Sequence, residues 1–538
     1  MSSTIQAQRA RSGQAQTPTR RVAGLLDALK LRTLKGQFIL HASLILLFAG
    51  LLTLIGANTF SRASSDLATI DSGSIPSVNY AQQITQDVET IDAQAADYLA
   101  TAGLTATHLC SIPTDLEGHM NNVALTNHAC DEQSIDAETV LANQTLFLAA
   151  HNVTYTGEQT AIERITIGLE RYLADIHQMR VDFGLATSKT DPNDPYLKQA
   201  YQAYLSAGSI LHDHIDLDTI SAGQIHLDPE QIASGAPLPN CKLVNKQEIT
   251  PDQWTQAGLT TALDCLSSIN HSYLDNAYDD SGNFLGSATA WIIILALLLG
   301  LLLVTGTGRM ILRSHHILNL GLLAATLLSI IFSISSTVLL TSLQGQSSQG
   351  HDSDGAFTQL VQDDYQSVYF AAVLKRVATD ANADESRWLI ALEFNDQANV
   401  SHWQNDWNQN KQQVADLIQQ AKNNRTWTEE DQPLSLMDTN WNQRYLSDDD
   451  QIRSAAQNLG DPKRLLTAEN ISTGQSNQDF SDFTSAVDGL AQANQNHYNQ
   501  TFASINSTLM VYFVLSLVFF PLTGLLALWG VAQRLKDF

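Results

Sequence analysis

The chain has 538 residues, a formal net charge of −26 and only 16% charged residues. So acidic a surface excludes a role that needs a basic face for phosphates, and no nucleic-acid partner is expected. Its apolar residues gather in four long runs, Gln37–Ala57, Ala288–Val304, Leu318–Leu340 and Thr508–Gly530, none of which contains Asp, Glu, Lys or Arg.

Residues 1–36 form a basic tail, with Arg9, Arg11, Arg20, Arg21, Lys30, Arg32 and Lys35 against Asp27. Within it Val22, Leu25, Leu26, Leu29 and Leu34 share one helical face, which reads as an interfacial helix for anionic lipid or a cytoplasmic partner. The first run, 37–57, reads as a retained anchor: it is longer than a signal-peptide core and no small-x-small cleavage site follows. At about 1.5 Å per residue each run covers most or all of a hydrocarbon core of roughly 30 Å.

Residues 58–287 are long enough for a domain with its own core. Ile84, Val88, Ile91 and Ala95 recur at three- and four-residue steps. Further helical stretches follow over 162–176, 196–211 and 266–278, with Pro76 and Pro195 where helices are expected to begin. Thr105–Ala137 and Asp218–Pro251 interrupt this plan with Pro, Gly, Asn and Ser, and are expected to hold disulfide-stapled hairpins that are either tolerated insertions or a partner surface. All four cysteines, Cys110, Cys130, Cys241 and Cys265, lie in this segment. Three pairings are open; local spacing favours Cys110–Cys130 and Cys241–Cys265, and no C-x2-C spacing points to zinc.

The second run, 288–304, leads into a short basic hairpin, 305–317, with Arg309, Arg313, His315 and His316. Gly306-Thr307-Gly308 there reads as a turn or helix end. The third span covers 318–343, and Ser329, Ser333, Ser335, Ser336 and Thr337 within it suit close helix–helix contact. Residues 344–507 repeat the order of the first segment, with helical stretches over 357–394, 403–418, 437–459 and 480–498. An offset of 290 sets Ser77-Val78 against Ser367-Val368, which, with the matching architecture, reads as a tandem duplication. Five of the eight tryptophans fall here and are expected in a core. The fourth run, 508–530, carries Pro521, where a kink is expected, and 531–538 is a short stub. The runs are read as free of ionisable groups, so no proton or ion pathway is expected.

The charges sort around these runs. The tail, the 305–317 hairpin and the stub hold 11 of the 29 basic and 2 of the 55 acidic residues; the two long segments hold the other 18 and 53. Basic short loops face the cytoplasm, so both termini and the hairpin are expected inside a plasma membrane, with 58–287 and 344–507 outside. The fold class expected is an all-α membrane protein with four transmembrane helices and two extracytoplasmic domains resembling four-helix bundles.

The chain shows no phosphate loop, zinc-protease, hydrolase-elbow or kinase signature. His212-Asp213-His214 places its histidines about 200° apart on a helix and reads as a solvated face. Asp448-Asp449-Asp450 reads as helix-start acids favoured by the dipole. No catalytic residue, cofactor or metal ligand is expected.

Asp92–Ala100 (DAQAADYLA), Arg313–Leu328 (RSHHILNLGLLAATLL), Ala383–Ala391 (ADESRWLIA) and Gly530–Phe538 (GVAQRLKDF), in this order among four spans, resemble the GlnX-type four-pass membrane proteins. The resemblance implies partners: an extracytoplasmic glutamine/glutamate-binding lipoprotein and a soluble cytoplasmic Ser/Thr kinase. The two cysteine-bearing stretches depart from that pattern. The expected function is a non-enzymatic signal relay, with Arg309, Arg313, His315 and His316 as the cytoplasmic contact and a homodimer as one assembly. A direct small-ligand receptor and a structural envelope protein are the alternatives.

Overall fold

A computed structural model describes residues 34–101, 104, 107–116, 119–215, 238–243, 247–314, 319–344, 355–461 and 463–535. They divide into two compact units. One holds 34–64, 283–314, 319–344 and 506–535; the other holds 65–282 and 355–505.

The helices in chain order are α1 (Leu34–Thr69), α2 (Ile75–Ala100), α3 (Asn127–His151), α4 (Glu158–Leu185), α5 (Pro195–His212), α6 (Pro251–Trp254), α7 (Leu259–Ser314), α8 (Leu320–Gln344), α9 (Ala356–Thr358), α10 (Gln366–Glu393), α11 (Gln397–Asn423), α12 (Asp431–Thr439), α13 (Leu446–Gln457), α14 (Arg464–Ile471) and α15 (Asn477–Leu535). Strands β1 (Thr107–Pro113) and β2 (Met120–Thr126) form one antiparallel hairpin; β3 (Cys241–Lys242) and β4 (Glu248–Ile249) form another.

The smaller unit contains the apolar windows of four helices long and apolar enough to cross a membrane. Leu54, Leu297, Leu301, Val304, Ile331, Ile334 and Leu525 stand exposed on it, as lipid-facing residues must. Small residues bring its helices together. A methyl group on Gly321 would lie 2.8 Å from the Gly530 Cα. Asn319 caps α8 by accepting from Leu322 N (3.2 Å) and donates to the Gly530 carbonyl (2.8 Å). Ser329, Ser333 and Ser336 are buried, and Ser335 bonds Tyr512. Two expectations change here. The apolar runs do contain an ionisable residue, His41, which is buried and donates from Nε2 to the Leu302 carbonyl (2.6 Å). And α7 runs unbroken through Thr305–Gly308 to Ser314, where a turn or helix end was expected; Gly306 lies against His41, whose Nε2 is 2.8 Å from where a Cβ would stand. Pro521 lies inside α15.

In the larger unit α2 and α10 are the central pair, α3 packing on α2 and α11 on α10. Every residue from Ala381 to Ala391 is buried, so α10 has no solvent face along this stretch. The 58–287 and 344–507 segments, expected as separate domains, thus share one unit. Ile390 belongs to the apolar core of the first segment, and Tyr201 stacks on Phe394 at 4.2 Å. Each fully buried Leu, Ile or Phe in that core contributes about 1.5–3 kcal/mol.

Local sequence explains the helix ends. Asp194 accepts from Tyr196 N (2.9 Å) and Leu197 N (3.3 Å), and Pro195 starts α5 as expected. Pro76 stands in the first turn of α2, as expected, although no break precedes that helix. A π turn, Ile70–Ser74, joins α1 to α2, and a second, Gln359–Tyr365, precedes α10. Thr105–Ala137 is only half a hairpin: after β1 and β2, Thr126 caps α3, a helix whose apolar residues form no single stripe. The structure pairs Cys110 with Cys130, tying β1 to α3, and Cys241 with Cys265, tying β3 to α7.

Candidate functional site

Arg387 of α10 is 1% exposed and meets four carboxylates. Its Nε donates to Asp92 Oδ2 (2.7 Å), Nη1 to Asp380 Oδ1 and Asp384 Oδ1 (both 2.8 Å), and Nη2 to Glu89 Oε2 (3.2 Å). Glu89 and Asp92 come from α2 and the others from α10, so the guanidinium ties the two segments together. Tyr172 and Tyr204 donate to Asp92 at 3.3 and 3.1 Å, and Asn410 donates to Asp380 and Asp384 at 2.8 and 2.9 Å. Trp403 lies 5.0 Å from the guanidinium carbon.

One guanidinium serves four carboxylates, and the electrostatics follow. Burial opposes the charge of Arg387, but Asp92, Asp380 and Asp384 hold its pKa well above the ordinary value. Burial and then Asp380 push Glu89 and Asp384 well up. Burial also opposes ionisation of Asp380, yet Arg387 and His212 hold it below its usual value. Burial and then Arg387 push His212 down.

Two small cavities flank this centre. One, about 200 Å³, is lined by Thr85, Glu89, His212, Asp264, Arg376 and Asp380 among others. The other, about 190 Å³, is lined by Asp92, Tyr204, Ser209, His212, Arg387 and Trp403 among others. His212 borders both, with its Nε2 shut off from solvent and unpartnered. The solvated-face reading therefore fails for His212, the last residue of α5, although Asp213 and His214 are exposed. Glu89, His212 and Asp380 each offer a donor atom within 4.8 Å of the others, a set able to hold a metal ion. A wider groove of about 820 Å³ runs between β3–β4 with α7 and α10 with α11, its walls including Lys242, Glu248, His271, Tyr369 and Asp416.

A second buried arginine-bearing group lies on α13. Arg453 Nε donates to Asp449 Oδ1 and Oδ2 (2.8 and 3.0 Å) and stands over Trp388 and Trp407. Asp448 and Asp449 are buried inside a run that continues from α12 through a π turn, so an ion pair, and not the dipole of a free helix end, accounts for Asp449. Trp388, Trp403, Trp407 and Trp441 are buried, as expected of core residues; Trp427 is partly buried.

Two turns carry the same bonds. Glu158 Oε2 accepts from Thr154 N and Tyr155 N (both 2.5 Å), Thr154 Oγ1 donates to the Asn152 carbonyl, and Asn152 donates to Ser77. Glu430 Oε2 accepts from Thr426 N (2.6 Å) and Trp427 N (2.8 Å), Thr426 Oγ1 donates to the Asn424 carbonyl, and Asn424 donates to Ser367. Tyr155 bonds Ser74 and stacks on Tyr273; Trp427 donates to Asp364 and stacks on His497.

Of the residues singled out from sequence for cytoplasmic contact, Arg309 is exposed on α7 and Arg313 belongs to α7, while His315 and His316 lie outside the described residues. So does the basic tail up to residue 33. The Arg387 centre was not anticipated. Its signal was the placement of Asp380, Asp384 and Arg387 at four- and three-residue steps, which puts them on one helical face. No family model, curated protein or solved structure matches the chain.

Proposed function

We propose that this chain is a non-enzymatic transmembrane signal relay in a plasma membrane, with the larger unit outside and both termini in the cytoplasm. One observation carries the reading: Arg387 of the second segment is bonded to Glu89 and Asp92 of the first in a buried centre. A partner that shifts either segment must therefore shift the other. Helices α7 and α15 each contain residues of both units. The matching turns at Glu158 and Glu430, and the π turns before α2 and α10, support a tandem duplication. The resemblance to GlnX-type proteins supports an amino-acid-loaded binding lipoprotein as the outer partner and a Ser/Thr kinase as the inner one.

The test is capture of such a lipoprotein by the full chain in detergent, with and without its amino acid. Capture that depends on the loaded state supports the relay; equal capture, or none, sinks it. The groove of about 820 Å³ favours a second reading, a direct small-ligand receptor, because its size falls in the usual range of ligand pockets. Binding of a free amino acid to the purified chain with no lipoprotein present would favour that reading.

A further inference from the structure

We propose that Glu89, His212 and Asp380 form a divalent transition-metal site, of the zinc or manganese class, that joins the two segments of the larger unit. The three residues come from α2, α5 and α10, and their donor atoms lie within 4.8 Å of one another. Two carboxylates and an imidazole are a mixed oxygen and nitrogen set. Calcium prefers six to eight oxygens, so borderline ions such as Zn²⁺ or Mn²⁺ fit better.

Three further observations point to a cation. First, His212 Nε2 is buried and bonds to nothing among the described residues. An unpartnered imidazole nitrogen shut off from water is expensive unless something takes its lone pair or proton. Second, the charges do not balance. Glu89, Asp92, Asp380 and Asp384 share the single guanidinium of Arg387, and the nearby Arg376 is paired with Asp264. A divalent ion supplies the positive charge this centre lacks. Third, the carboxylates are already fixed by other side chains: Arg387 donates to Glu89 Oε2 and Asp380 Oδ1 and Asn410 to Asp380 Oδ2, and metal-bound carboxylates are hydrogen-bonded in this way. The adjoining cavity of about 200 Å³ leaves room for water on the remaining coordination positions.

The experiment uses the full chain in detergent, carrying no polyhistidine tag and stripped with chelator. Zn²⁺, Mn²⁺ and Ca²⁺ are titrated by equilibrium dialysis, and Co²⁺ is added as a spectroscopic probe. The expected result is one tightly bound Zn²⁺ or Mn²⁺ per chain, a Co²⁺ visible band, and loss of both with His212→Ala. Glu89→Gln, which keeps the shape of the side chain, is expected to weaken binding at least tenfold. His214→Ala, on an exposed neighbour, is expected to leave it unchanged. Binding that is absent, or equal in wild type, His212→Ala and Glu89→Gln while circular dichroism stays native, overturns the site and assigns any uptake to surface carboxylates. Should His212→Ala fail to fold, Glu89→Gln and the Co²⁺ band of the wild type decide alone.

Discussion

At the scale of single residues, Arg387 organises the larger unit, but an ion pair of this kind is weak evidence of net stability. The charges lose their hydration, and only good geometry repays it. Its removal is another matter. Arg387→Met leaves three buried carboxylates and the partly exposed Asp380 without this cation, and thermal and chemical unfolding of the full chain should show a loss of about 3–5 kcal/mol. Adding Asp384→Asn and Glu89→Gln to the same chain should restore part of that loss; no recovery would mean that packing of the long side chain, and not charge, dominates. Glu393 gives a cleaner pH dependence. Burial alone raises it from 4.5 to about 7. Its folded form keeps the proton longer than its unfolded form, so stability is full below about pH 4.5, falls as pH rises towards 7, and is level above. Glu393→Gln should therefore raise the melting temperature at pH 8 and hardly change it at pH 4, the difference reaching at most about 3 kcal/mol. An equal change at both pH values would refute this.

Among the elements, α2 and α10 were legible in sequence as helices but not as a buried pair. Periodicity identifies one apolar face, whereas Ala383–Ala391 is buried on every side while carrying Asp384, Glu385 and Arg387. No hydropathy pattern announces charges that satisfy one another. Helix α3 was missed for a related reason, since its apolar residues make no stripe and a cysteine-bearing hairpin precedes it. The pairing of the cysteines was legible, because a hairpin and the helix after it keep near neighbours close. Disulfide Cys110–Cys130 closes a 20-residue separation, and replacing both cysteines with serine should lower stability by up to about 3 kcal/mol, read as a fall in melting temperature. The paired turns also invite comparison. Glu158→Ala and Glu430→Ala each free two backbone N–H groups and should each cost about 1–2 kcal/mol. Markedly unequal losses would count against their being equivalent devices.

For the whole molecule, reporter fusions after Gly286 and Asn506 should read outside and one at Met310 inside; any reversal undoes the orientation and the relay with it. The sequence by itself determined the four apolar helices, the distribution of charge around them and most of the helical stretches, because these depend on local composition and on periods of three to four residues. Tertiary structure alone decided that the two long segments share one unit. Arg387 and Asp92 stand 295 residues apart, and nothing local in either stretch records the other. It also decided that His41, His212 and Gly306 matter, since each takes its role from a neighbour supplied by a distant helix. Burial can make a charge stabilising or ruinous according to its partner, and the partner is known only once the chain has folded.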